Sequence, residues 1–96
     1  MIKLVRAAGT GKTQELLAEA SKHDGIVLTK DRAALEVKAK AYGFYHLTII
    51  DYYDLINGNY KYDQDVYVVN ADDFLEAFLL DYFKLQCKGI TVRVEE

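Results

Sequence analysis

Short, continuous apolar runs separated by helix-patterned segments constrain this chain more than any other feature. Ile26-Val27-Leu28-Thr29, Leu47-Thr48-Ile49-Ile50 and Val66-Tyr67-Val68-Val69 lack the polar alternation of a strand with one wet face. Such runs suit strands covered on both sides, and their alternation with helices argues for a parallel sheet with helices packed on it. The chain has 96 residues, enough for one domain spanning 1–96. With 51% hydrophobic residues and no proline it can bury a core, but a second lobe would not fit.

Between the strands the helical signals are local. Ile2-Lys3-Leu4-Val5 reads as a first strand, followed by a Gly-rich turn and a helix over Lys12–His23 with Leu16, Leu17 and Ala20 on one face. Asp31 is placed to cap a helix through Tyr42, and Gly43 to end it in a left-handed turn. Asp51–Asp65 is the least regular stretch, with Asn57-Gly58-Asn59 as its turn. Ala71–Gln86 carries the clearest helical pattern. Phe74, Leu75, Phe78, Leu79, Tyr82 and Phe83 form a wide apolar face, and the expectation is that it is core. Gly89 would end that helix, and Ile90–Val94 reads as a last strand. The expected fold is α/β, a three-layer sandwich with a mostly parallel sheet of about five strands.

Chemistry concentrates in Arg6-Ala7-Ala8-Gly9-Thr10-Gly11-Lys12-Thr13, which follows a strand and opens a helix. This is the context of the Walker A phosphate-binding loop. Glycines let the backbone curl so that successive N–H groups converge on one anion, and the helix N-terminus adds unpaired donors and a positive dipole end. Ala8, Gly9, Thr10, Gly11, Lys12, Thr13 and Gln14 are therefore the candidate phosphate contacts. Lys12 brings a mobile charge to the outer phosphates, and the Thr13 hydroxyl is offered to Mg²⁺. Arg6 stands where the motif has its first glycine, so the match is to the later part of the pattern. A Gly-rich turn with a chance Lys-Thr is the plainer alternative.

Through Ala8–Thr13 the chain resembles the P-loop NTPases, and in particular the first part of a superfamily-one or -two helicase motor domain. Ile26–Ala34 is similar to that family's motif Ia, which implies Thr29, Lys30 and Arg32 as contacts to a single strand's backbone. An ordinary buried strand and solvated helix start explains these residues equally well. Asp65–Phe74 falls where the family has Walker B, an apolar strand ending in Asp-Glu. The direct register places Asn70 and Ala71 there, and a slip of two places offers Asp72 and Asp73 as catalytic candidates. The direct register is preferred, because the slip would put Asn70 inside an apolar strand. Thr13, Asn70 and Asp72 are then the candidates to hold Mg²⁺ through water. Asn70 also suits a helix N-cap with Asp72 and Asp73 in the first turn, which alone would account for them.

The resemblance implies binding of a nucleoside triphosphate such as ATP, with Mg²⁺, and weak or no intrinsic hydrolysis. Nothing corresponds to a second lobe or an arginine finger, and the expected enzymatic activity is at most a slow NTPase. Other classes are less well served. A net charge of −3 with dispersed cations leaves no basic footprint for nucleic acid. A single cysteine, Cys87, excludes an internal disulfide, and its place late in an apolar helix suggests a buried thiol. His23 and His46 lack a metal-spaced partner. No apolar run approaches the length of a membrane span, so a cytoplasmic protein is expected. Tyr42, Tyr45, Tyr52, Tyr53, Tyr60, Tyr62 and Tyr67 bunch together, as a protein-binding patch, a base-stacking platform or core filler. The alternatives to nucleotide binding are accordingly a protein-interaction module on the same fold and a single-stranded nucleic-acid binder.

Overall fold

The apolar runs pair as the pattern predicts, but into a smaller sheet. A computed structural model describes residues 1, 3–4, 11–61 and 63–93. Helix α1 (Lys12–Lys22) leads to strand β1 (Ile26–Leu28), helix α2 (Arg32–Ala41) and strand β2 (Thr48–Ile50). Helix α3 (Tyr52–Asn57), strand β3 (Val66–Val68) and helix α4 (Ala71–Phe83) follow. Strand β1 is central, and the order is β2-β1-β3. Both pairings are parallel, with Val27 opposite Ile49 on one side and Tyr67 on the other.

Because side chains alternate along a strand, each run supplies both faces. Val27 and Ile49 join Leu17, Ala20, Leu35, Ala39 and Val69 in one core under α1 and α2. Ile26, Leu28 and Ile50 form a second core on the opposite face, packed by Tyr60, Val68 and Phe74.

The five-stranded sandwich expected from the sequence is corrected to a three-stranded parallel sheet among the described residues. The α/β class remains. Ile90–Arg93 is irregular, with Ile90 and Val92 exposed. The expected first strand lies largely outside the described residues, and of its span only Lys3 and Leu4 are described, neither in a strand.

A smaller sheet also changes the surroundings of α4. None of its residues is fully buried, and Phe83 is 57% exposed. Its expected core face is instead half-covered, by α3. Tyr52, buried on α3, sits 5.9 Å from the ring of Phe78 and 5.7 Å from that of Tyr82. Its hydroxyl donates to the Asp81 carboxylate. That bond, with burial, pushes the Tyr52 phenol well above its ordinary range.

Helix α4 ends at Phe83 rather than Gln86. Lys84 adopts the left-handed conformation (φ 55°), and the Leu85 amide bonds back to Leu79 at 3.1 Å. With the Lys84 amide bonding Leu80 at 3.1 Å, that is a left-handed (αL) helix end built on lysine instead of glycine. Cys87 therefore lies beyond the helix, partly exposed, instead of within it. Helix α3 falls in the stretch that reads as irregular. Asp51 accepts from the Asp54 amide at 3.0 Å while Asp54 accepts from the Asp51 amide at 3.1 Å, a reciprocal capping box. No helix of the described residues is long and apolar enough to cross a membrane.

One close approach locks α1 to β3. A Cβ on Gly25 would lie 2.5 Å from the Tyr67 ring and 3.1 Å from the Asp65 carbonyl. Gly25→Ala should lower stability in urea unfolding by about 1–3 kcal/mol, the usual cost of overpacking. The loss should shrink when Tyr67 is shortened to Leu; an equal loss in both backgrounds would place the strain elsewhere.

Candidate functional site

In a parallel sheet the carboxyl ends of the strands share one edge, and helices begin there. Strand β1 sends its chain through α2 to β2 on one side, and the later β3 returns on the other. The order therefore reverses at β1, and crevices at such a switch point are where open α/β sheets bind ligands. A cleft of about 300 Å³ lies at this edge.

Thr13, at the start of α1, forms one wall. Thr29, Lys30 and Asp31, which leave β1, line the cleft together with Ala34, Leu35 and Lys38 of α2. Val69, Asn70 and Asp73 line it from the end of β3 and the first turn of α4. Three segments far apart in sequence meet here: the start of α1, the turn after β1 and the turn after β3; Gly11 and Lys12 themselves do not line the cleft.

Local geometry explains the placement. Gly11 precedes α1 in the left-handed conformation (φ 80°), where a side chain would be strained. Its carbonyl accepts the first helical bond, from Glu15 at 3.0 Å. Lys12 and Thr13 are thus the first two residues of α1, whose amides have no partner within the helix. Asn70 is likewise left-handed (φ 49°) at the N-cap of α4, yet its side chain makes no capping bond. The expectation that Asn70 caps by its side chain is therefore not met. Asp31 does cap α2, accepting from the Ala34 amide at 3.1 Å.

Asp72 and Asp73 are both in the first turn of α4. Asp73 stands three residues after Asn70, on the same helical face, and only Asp73 reaches the cleft. Asp72, the sequence candidate for the metal, lies off it. Thr29 is the buried polar residue of the described chain, 7% exposed. Its amide donates to the Ile50 carbonyl at 3.0 Å. Thr29 also lines the cleft.

Ala8, Gly9 and Thr10 lie outside the described residues, as do Arg6 and Tyr62. Gln14 is exposed on α1 and does not line the cleft. Arg32 is turned to another task. Its guanidinium contacts Asp54 at 3.0 Å and Glu36 at 3.2 Å, tying α2 to α3. The tyrosines scatter: Tyr52 is buried, Tyr60 and Tyr67 pack on opposite cores, and Tyr42, Tyr45 and Tyr53 are exposed. They form no single platform among the described residues. His23 sits at the end of α1, 3.5 Å from Glu19. Leu35 and Lys38 are the cleft residues that sequence reasoning missed, since no motif includes them, and Lys38 is the charged one.

Among the described residues no three His, Cys, Asp or Glu side chains gather as a metal cage. Mg²⁺ needs none, because it keeps water and is held by one or two carboxylates plus phosphate oxygens. Thr13 and Asp73 on one cleft fit that requirement. No protein-family model matches the chain, and no curated protein and no solved structure matches it either.

Burial opposes ionisation of Asp54, but the bonds from the Asp51 amide and the Arg32 guanidinium outweigh it and hold the carboxyl below its ordinary value. A carboxyl depressed in the fold stabilises above its unfolded pKa of about 3.9 and loses that contribution as pH falls through the lower folded value. Asp54→Asn should lower the urea midpoint at pH 7, and the gap to the parent should close by pH 2. A gap that persists unchanged into acid would contradict this linkage.

Proposed function

We propose that the protein binds a nucleoside triphosphate such as ATP, with Mg²⁺, at the carboxyl-edge cleft. The observation that carries the reading is the convergence of Thr13, at the helix start after Gly11-Lys12, with Asn70 and Asp73. Amides at the start of α1 would cradle the inner phosphates, and Lys12 would neutralise the outer ones. Thr13 and Asp73 would hold Mg²⁺, Asn70 contributing through water. Bound there, the ion would neutralise phosphate charge.

The reading stops at binding, with slow or no intrinsic turnover. Asn70 is neutral and Ala71 has no group to act on water. Transition-state charge at a transferring phosphate normally needs an arginine or a second cation, often supplied in trans. Arg32 is committed to Asp54 and Glu36 and does not supply that charge. A cytoplasmic setting, where such nucleotides are abundant, suits this reading.

A second reading is favoured by the α3–α4 surface, where Tyr53, Leu80 and Phe83 are exposed beside one another's helices. Exposed aromatic surface of this kind suits a protein partner. Single-strand binding is less well supported, since Arg32 is paired and the tyrosines are dispersed.

Calorimetric titration of MgATP into the parent and Lys12→Ala should give an affinity at least about tenfold weaker for the variant, the loss of one charge-assisted contact. A parent protein that gives neither heat nor a thermal shift with MgATP would overturn the proposal.

A further inference from the structure

Lys38 is the charged cleft residue that no sequence motif contains. It sits on α2 four residues after Ala34, so the two share a helical face, and both line the cleft. Cα–Cβ bonds on a helix tilt toward its N-terminus, which carries a long side chain at 38 back toward the carboxyl edge of the sheet. The small side chain of Ala34, one turn nearer that edge, leaves the path open. Leu35 and Ala39, the neighbours that anchor this part of α2, are buried in the core. The ammonium is therefore carried on a fixed helix, and no ion pair holds it among the described residues.

Thr13 and the buried Thr29 line the same cleft. The carboxylates on the cleft are not equivalent: Asp31 already accepts from the Ala34 amide, while Asp73 stands on the β3 side with Asn70. Two lysines line the cleft beyond the start of α1: Lys30 on the turn after β1, and Lys38, the one carried on α2.

We propose that Lys38 is a specificity-determining contact for the terminal phosphate, making the cleft selective for a triphosphate over the corresponding diphosphate. This rests on the nucleotide-binding reading above. The inner phosphates remain at the Gly11–Thr13 end, and the added phosphate spans the floor past Thr29 to Lys38. A diphosphate ends short of it.

The test compares MgATP and MgADP binding to the parent, Lys38→Met, Lys38→Arg and Lys12→Ala by calorimetry, with thermal unfolding of each. Lys38→Met, which keeps the apolar stem, should weaken ATP about tenfold and leave ADP within about twofold. Lys38→Arg should restore the preference for ATP. A parent that binds neither nucleotide removes the nucleotide reading, and this inference with it. A parent that binds both, with Lys38→Met losing neither or losing both equally, overturns the inference and leaves the reading standing.

Discussion

The double pairing of β1 is the interaction on which the rest of the molecule depends. Ile26, Val27 and Leu28 bond to β2 on one side and β3 on the other, and their side chains feed both cores. A parallel strand so placed has no solvent face, which is why its run is uninterrupted by polar residues. The same pairing aligns the carboxyl ends of the three strands. It also reverses the strand order at β1, and the cleft follows from that reversal. Chemistry from Thr13, Thr29 and Asn70 is brought together by the sheet, since no short segment of chain contains it.

Much of this was legible in residue order because the signals were local. Asp31 and Gly43 bracket α2 as their side chain and φ of 90° require, and the three central runs became strands within a residue at each end. Helix α3 was hidden because it is short, and because Asp51 and Asp54 carry its signal as a capping box rather than as an apolar stripe. The end of α4 was hidden too. A lysine in the left-handed region is unfavourable by about 1–2 kcal/mol, so sequence favours continuing to Gly89. The fate of Ile90–Arg93 depends on whether a sheet edge takes it up, and alternation cannot decide that.

The site was legible in its parts and not in its assembly. Gly11-Lys12-Thr13 marks a phosphate-binding turn by composition, whereas the preference for Asp73 over Asp72 depends on helical phase after Asn70. The pairing of Arg32 with Asp54 joins residues on different helices, which no motif spacing foretells. Lys38 escaped notice for a similar reason: its relevance comes from lying one turn below Ala34 on a helix that happens to border the cleft. The aromatic stripe of α4 shows the converse. Periodicity identified the face, but burial depended on how many strands lay beneath it.

The central claim is that phosphate-bearing ligand enters at the switch point between β1 and β3 and not at the α3–α4 aromatic surface. Amide chemical shifts recorded while MgATP is titrated into the isotopically labelled protein test it most directly. The account predicts perturbations concentrated at Gly11–Thr13, Thr29–Asp31, Lys38 and Asn70–Asp73. Perturbations centred on Tyr53, Tyr82 and Phe83, or none at any nucleotide concentration, would contradict it.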